Sequence, residues 1–361
     1  MSIDKIVSLC KRRGFVFQSS EIYGGFKAVY DYGPLGVALK NNISKVWWKA
    51  MTQLHENIVG LDSAIFTHPK IWEASGHVGA FNDPLVDCKQ CKARYRADEL
   101  STDTHPEWEK MTCPNCGSKG SFTDPRQFNL MFKTSIGPIE DGSSVAYLRP
   151  ETAQGIYVNY LLVQNAMRLK VPFGIAQVGK AFRNEIVARN FIFRTREFEQ
   201  MEMQYFVNPK NDNEALQEWK AKRFDFYSDL GINSKKLRFQ EHGENDLAHY
   251  AKEAWDIEYE FPFGWSEIEG IHNRTDYDLS QHQEFSGKKM EYFDQQNNER
   301  FFPYIIETSA GLNRIMLAVL SDSYWEDEEN NRVVMKLDPK IAPVLAVVCP
   351  LVKKDGLPEI G

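Results

Sequence analysis

Apolar residues recur at helical spacing from the first turn of the chain. Ile3, Ile6, Val7, Leu9 and Cys10 predict a helix over 3–13, with Gly14 as its stop. Beyond the turn at Gly33-Pro34, Val37, Leu39, Ile43, Val46, Trp47 and Met51 space a longer amphipathic helix to about residue 54. The stretch AYLRPETAQGIYVNYLLVQNAM reads as a strand end passing into a helix with Thr152 near its start, and 213–230 reads as a further helix. Over 173–206 the period changes to two, which predicts a strand hairpin. Residues 235–260 read as a mixed strand and helix region with its own aromatic residues, and FPYIIETSAGLNRIMLAVL as a strand running into a helix. From Lys336 the run LDPKIAPVLAVVCPLVKK has the apolar character of a strand that would begin a new α/β unit. No internal repeat or low-complexity tract interrupts this order.

The hairpin carries charge where a core strand would not. Between Ala181 and Phe206 stand four arginines, four glutamates and six aromatic residues. Alternation puts Gln177, Gly179, Ala181, Arg183 and Glu185 on one face of the first strand. On the return strand Arg194, Arg196, Phe198, Gln200, Glu202 and Gln204 share a face, with Glu197, Glu199, Met201, Met203 and Tyr205 opposite. Such a surface suits either a charged ligand or a solvated face with cross-strand ion pairs. The segment IIETSAGLNRIML favours the ligand. Its strand ends in Glu307-Thr308-Ser309-Ala310-Gly311, small residues that admit a ligand to the backbone, and the helix that follows carries Arg314 in its first turn. Two arginines from separate segments, Arg183 and Arg314, offer planar forks to a polyphosphate. The chain has neither a G-x-x-x-x-G-K-[ST] loop nor a G-x-G-x-x-G turn.

Composition narrows the setting. The 361 residues, 42% of them hydrophobic, can bury a large core and allow more than one domain. The start MSIDKIVSLCKRRG has no apolar segment of signal-peptide length, and no run of about 18 apolar residues occurs, so a cytoplasmic setting without a membrane is expected. A net charge of −7 argues against nonspecific coating of nucleic acid but leaves room for a local basic patch. Cys88, Cys91, Cys113 and Cys116 form two C-x2-C knuckles with 21 residues between them, the pattern of a closed four-thiolate zinc site with a structural role. Cys10 and Cys349 stand apart as ordinary small apolar residues.

The motifs together carry a family resemblance. Phe182-Arg183-Asn184-Glu185, a loop and Phe198 to Glu202 resemble motif 2 of class II aminoacyl-tRNA synthetases; Gly311-Leu312-Asn313-Arg314 resembles motif 3, and YGPLGVALKNNISKVWW resembles motif 1, the dimer-forming element. The strings YGPLG, RPETAQGI, FRTREFEQME, GWSEIEGI and ETSAGLNR, in order over residues 10–350, are similar to glycyl-tRNA synthetases of the homodimeric type. The resemblance implies an α+β fold with an antiparallel sheet flanked by helices and a zinc-bearing insertion. It divides the chain into a catalytic domain over 1–335, with insertions at 84–123 and about 207–260, and a C-terminal segment, 336–361, that would be the start of a largely missing anticodon-binding domain.

The same resemblance implies the chemistry. Glycine would be activated by ATP with magnesium and passed to the end of tRNA(Gly), with Arg183, Arg314 and Glu307 acting at the reacting atoms. Implied ATP-binding positions are Arg183, Asn184, Glu185, Phe193, Arg194, Thr195, Arg196, Glu197, Phe198, Glu267, Ile268, Gly311, Leu312, Asn313 and Arg314, with Phe198 stacked on adenine and Glu267 and Glu307 placing magnesium. Implied substrate positions are Arg96, Glu151, Phe198, Glu199, Gln200, Met201, Glu202, Arg274, Glu307, Thr308, Ser309, Ala310 and Gly311. Asn313 and His272 depart from what the resemblance leads one to expect, and neither is given direct chemistry. The alternative reading is a noncatalytic synthetase paralogue serving as a regulatory or nucleic-acid-binding subunit.

Overall fold

The computed structural model describes residues 2–100, 108, 110–138, 144–243, 247–248, 250–352 and 356. The chain opens with α1 (Ile3–Arg13), whose Asp4 and Lys11-Arg12-Arg13 complement the helix dipole and whose C-cap Gly14 adopts a φ of +71°. A small antiparallel pair, β1 (Val16–Gln18) and β2 (Tyr30–Tyr32), leads into α2 (Pro34–Thr52). Proline at the first turn of α2 loses no hydrogen bond there, and Leu39, Ile43, Trp47 and Met51 bury one stripe of the helix. Gly36 is required within it: a Cβ would lie 1.8 Å from the carbonyl oxygen of Phe15.

After β3 (Ile58–Gly60) and the short helices α3 (Lys70–Ala74) and α4 (His77–Ala80), the chain forms the cysteine lobe. Its strands β4 (Asn82–Asp87), β5 (Arg94–Arg96) and β6 (Arg126–Asn129) pair in the order β5-β4-β6, with α5 (Ala97–Leu100) beside them. The hairpin β7 (Phe132–Ser135) and β8 (Val145–Leu148) then delivers the chain to α6 (Ala153–Met167).

The remaining elements are β9 (Phe173–Phe182), β10 (Glu197–Val207), α7 (Asp212–Asp229), β11 (Leu237–Glu241), β12 (Glu253–Phe261), β13 (Gly264–Asn273), α8 (Tyr277–Ser286), β14 (Tyr292–Asp294), β15 (Glu299–Phe301), β16 (Tyr304–Gly311), α9 (Leu312–Ser323), β17 (Tyr324–Asp327) and β18 (Arg332–Met335). Among the described residues, seven strands build the main sheet in the order β11-β12-β13-β16-β10-β9-β3, antiparallel except for β3 beside β9.

The sheet separates two environments. Met201, Met203 and Tyr205 of β10 point to the core shared with α2, α7 and α9, as the period of two predicts. On the opposite face α6 covers Phe173, Ile175 and Phe206 and, through the Tyr157 hydroxyl, Gln204, leaving Gln200 and Glu202 as a polar floor. That uncovered part of the sheet is where a ligand can sit.

Two expected elements differ. The region 235–260 contains no α-helix among the described residues: Ala254, Ile257, Tyr259 and Phe261 point inward from β12, which with β11 extends the main sheet. Residues 244–246 and 249 lie outside the described residues. The run after Lys336 does not form a strand among the described residues, because no neighbour pairs with it; Leu345, Val347 and Val348 stand exposed. Residues 353–355 and 357–361 lie outside the described residues, as do 101–107 and 109 of the cysteine insertion.

Candidate active site

The uncovered face of the sheet forms the floor of a cleft with about 880 Å3 of empty space, open mouth included. Its two ends differ in chemistry.

One end is built from carboxylates. Glu202 of β10 accepts from Ser309 Oγ (2.7 Å) and Gln200 Nε2 (3.0 Å) through Oε1, and from Thr152 Oγ1 through Oε2. Glu307 of β16 accepts from Gln204 Nε2 (2.9 Å), from His272 Nδ1 (2.8 Å) and from Arg274 Nη1 (3.2 and 3.3 Å). Glu151 accepts from Gln154 Nε2 at 3.1 Å and faces His77 Nε2 at 3.5 Å. Arg274 is also clamped by Asp278 through two bonds of 2.8 and 3.0 Å, with the ring of Tyr250 3.7 Å from its guanidinium carbon.

The electrostatics divide these carboxylates. Burial raises Glu202, and the charges of Glu307 and Glu151 raise it further, to about 8. Burial opposes ionisation of Glu307 as well, but Arg274 and then His272 outweigh it and hold that carboxyl at about 2. For Glu151 burial is again outweighed, chiefly by His77 and then by Arg274 and Arg183, so its carboxyl lies well below the usual range. The result is two fixed anions beside a third group that holds its proton near neutrality, an arrangement that awaits a cation.

The other end is built from arginines and rings. Arg183 follows β9 and is stacked between Phe81 and Phe198, with its guanidinium carbon 5.2 and 5.3 Å from their centroids. Its Nε donates to Pro150 O at 3.0 Å, and its terminal nitrogens have no protein partner among the described residues. Arg314, in the first turn of α9, lies 4.4 Å over Phe193 and pairs with Glu267 Oε2 at 2.8 Å. Glu267 reaches the cleft because of a register shift between Ile257 and Glu258: Glu269 pairs with Ile257 and Glu267 with Glu258, so Ile268 is the extra residue and drops into the core. Glu185 is buried, and its Oε2 has no partner among the described residues. An orphaned buried acceptor of this kind points to a donor on a ligand.

The cleft brings together most of the residues expected from sequence. Glu151, Arg183, Glu185, Phe193, Arg194, Thr195, Phe198, Glu199, Gln200, Glu202, Glu267, Arg274, Glu307, Ser309, Gly311, Asn313 and Arg314 line it. Met201, Ile268, Ala310 and Leu312 instead lie in the core beneath the sheet, and Thr308 is fully buried between strands. Asn184, Arg196 and Glu197 flank the cleft: Asn184 donates its N–H to Leu130 O, Arg196 donates to Glu185 O, and Glu197 pairs with Lys180. Arg96 belongs to the cysteine lobe, 3.0 Å from Asp83. Sequence reading missed Ile192, Tyr250 and Gly270 in the lining and His77 and Thr152 behind it. It noted His272 only as a departure. A Cβ on Gly270 would meet the His272 ring at 2.8 Å, so this glycine makes room for the imidazole that holds Glu307.

The four cysteines stand apart from the cleft. Their sulfurs all lie within 4.8 Å of one another, with Cys88 to Cys116 and Cys91 to Cys113 at 3.8 Å. Tetrahedral zinc with bonds of about 2.3 Å requires sulfur separations of about 3.8 Å, so the thiols fit that ion. The backbone N–H of Cys91 and then the hydroxyl of Ser121 lower the Cys88 thiol to about 5.

Comparison with known proteins agrees with this arrangement. Residues 132–323 match the family described as the tRNA synthetase class II core domain (G, H, P, S and T). The chain is 61% identical over 369 residues to a glycine–tRNA ligase of Treponema denticola, covering 100% of this chain and 81% of the relative. It is 58% identical over 365 residues to one of Borreliella burgdorferi (99% and 80% covered) and 54% identical over 374 residues to one of Thermobifida fusca (99% and 81% covered). A solved structure of Giardia lamblia prolyl-tRNA synthetase in complex with prolyl-adenylate superposes with a TM-score of 0.64 at 15% identity, over 95% of this chain and 57% of that one, a likeness of fold alone.

Proposed function

From the premise that this chain belongs to the glycine–tRNA ligase family of class II synthetases, we propose how its cleft carries out the reaction. The chain activates glycine with ATP and passes the glycyl group to tRNA(Gly). One observation carries the assignment of roles: a single cleft joins an end of three carboxylates to an end of stacked arginines.

Glycine has no side chain to recognise, so its ammonium and its small size must serve. Glu151, Glu202 and Glu307 take the ammonium, and the Ser309 hydroxyl helps orient Glu202. Arg274, fully committed to Asp278 and Glu307, and Tyr250 upon it leave little room for an added methyl group. At the other end Glu185 accepts from the adenine amine, and the adenine ring lies against Phe198. Arg183 presents its unused nitrogens to the α-phosphate, and Arg314 faces the γ-phosphate.

The glycine carboxylate then attacks the α-phosphorus. A bond from carboxylate oxygen to phosphorus forms, and the bond from that phosphorus to the bridging oxygen of pyrophosphate breaks. A carboxylate is a nucleophile at neutral pH without a general base, so rate comes from alignment and from charge stabilisation by Arg183 and Arg314. In the second step a hydroxyl of the terminal tRNA ribose attacks the glycyl carbonyl; the ester bond forms, the bond from that carbonyl carbon to the phosphate oxygen breaks, and AMP leaves with the hydroxyl proton taken up by its phosphate.

Magnesium, when bound, would neutralise phosphate charge. Glu267 fits that role, since its only side-chain partner among the described residues is Arg314; Glu307 stands at the other end of the cleft, with the carboxylates that take the ammonium. Cys88, Cys91, Cys113 and Cys116 would hold a structural zinc. The same reading includes a homodimer formed through α2, a cytoplasmic location and the division into 1–335 and 336–361. Among the described residues no helix is long and apolar enough to cross a membrane.

Exchange of pyrophosphate into ATP, measured with glycine, alanine and serine and no tRNA, tests the activation step. Exchange with glycine alone is expected. Absence of exchange in folded, zinc-loaded protein would overturn the reading.

A further inference from the structure

Strand β16 stops pairing with β10 at Gln200 and Gly311, because the chain turns there into α9. One residue along β10, the N–H of Glu199 points to the side that β16 has left. The side chain of Asn313 occupies that place, and its Oδ1 accepts from Glu199 N–H at 2.8 Å. Its Nδ2 donates to the phenol oxygen of Tyr32 on β2. Lys40 of α2 lies 4.8 Å over the Tyr32 ring and pairs with the Glu199 carboxylate at 2.7 Å. Asn313 is 5% exposed, and each end of its amide already has a partner inside the protein.

The neighbours of this amide give it consequence. Arg314 follows it in α9, and Phe198, which supports Arg183, precedes Glu199 in β10. A bond from Asn313 to Glu199 therefore sets the spacing between the two arginines of the cleft.

We propose that Asn313 is a positioning residue for the adenylation reaction, holding Arg314 in register with the stacked Arg183 and tying both to α2 through Tyr32 and Lys40. The inference rests on the assignment of this end of the cleft to ATP. A helix start secured by a side chain in place of a ladder hydrogen bond keeps the cationic groups in place before ATP binds, which is where a rate built on alignment is won or lost.

The test compares N313A, N313D and Y32F with the wild type in glycine-dependent pyrophosphate exchange, with melting temperatures alongside. N313A should raise KM for ATP and lower kcat, each by about tenfold, with KM for glycine within about twofold of wild type. N313D should recover to within about threefold, because one oxygen can accept from Glu199 N–H and the other from the Tyr32 hydroxyl. A purely structural role would lower the melting temperature and leave KM for ATP unchanged, and that outcome overturns the proposal. So does an N313D variant as impaired as N313A. If N313A does not fold, Y32F decides: a rise in KM for ATP at wild-type KM for glycine supports the proposal, and unchanged kinetics refute it. No exchange by the wild type would instead refute the functional reading itself.

Discussion

Ser309 donates its hydroxyl to Glu202 at 2.7 Å, at the end of the cleft where Glu151 and Glu307 also converge. The bond orients a carboxyl that burial and two neighbouring anions raise to about 8. In the unfolded chain the same group ionises near the ordinary glutamate value of 4.5. The folded state therefore binds an extra proton between these values, and the stability it gains below pH 4.5 is lost as pH rises through 8. Glu202→Gln should melt several degrees higher than the wild type at pH 9, with the difference shrinking towards pH 5, while glycine-dependent exchange is lost. Parallel melting curves of the two proteins across that range would show that Glu202 carries no such strain.

Arg183 lies between two rings, and Arg314 lies on a third and is paired with Glu267, so each depends on the planar guanidinium as well as on charge. Lysine keeps the charge and loses the stacking and the fork. Arg183→Lys and Arg314→Lys should each reduce exchange by about 100-fold or more, the scale of a lost preorganised electrostatic contact. Circular dichroism should remain that of the wild type. Near-normal exchange in either variant would remove that arginine from the phosphate site.

The sequence made the floor of the cleft legible because a strand's alternation is a rigid rule: Glu202 and Gln204 fell on one face and Met201 and Met203 on the other, as the structure has them. Motif strings placed Arg314 and Glu307 correctly in the cleft, but adjacency in a string also swept in Met201, Ala310 and Leu312, whose side chains point the other way. Glu267 and Ile268 show a subtler failure, since a single bulged residue decides which of them faces the ligand and no local pattern announces it. His77 and Tyr250 come from segments far from the motifs, and only the tertiary fold brings them to Glu151 and Arg274. The strand expected after Lys336 failed for another reason: apolar composition supplies a tendency, but a strand requires a partner.

Gly36 and Gly287 separate two costs of the same substitution. A Cβ on Gly36 would sit 1.8 Å from the carbonyl oxygen of Phe15 and 2.7 Å from its carbonyl carbon, backbone atoms that cannot rotate away. Gly287 has nothing within 4 Å of such a Cβ but adopts a φ of +70°. Gly287→Ala should therefore cost about 1–2 kcal/mol of left-handed backbone strain. Gly36→Ala should cost about 3 kcal/mol or more, because α2 must part from the residues before β1. Urea denaturation of the two variants checks the order, and equal losses would show that the packing of α2 yields more easily than its geometry indicates.

The cysteine lobe is not isolated from the cleft. Phe81, which stacks on Arg183, leads directly into β4, and Leu130, one residue after β6, accepts the Asn184 N–H at 2.8 Å. Four thiolates at tetrahedral spacing would repel one another strongly without a cation, so removing zinc should loosen the lobe first. The expected sequence under a chelator is release of one zinc per chain, new protease cuts within 84–123, and a rise in KM for ATP as Phe81 loses its support. Cys113→Ser should behave like chelated protein, and added zinc should reverse the effects only in the wild type. Loss of exchange with the lobe still resistant to protease would contradict a structural role, because it would mean that the metal acts on the reaction rather than on the fold that holds Arg183.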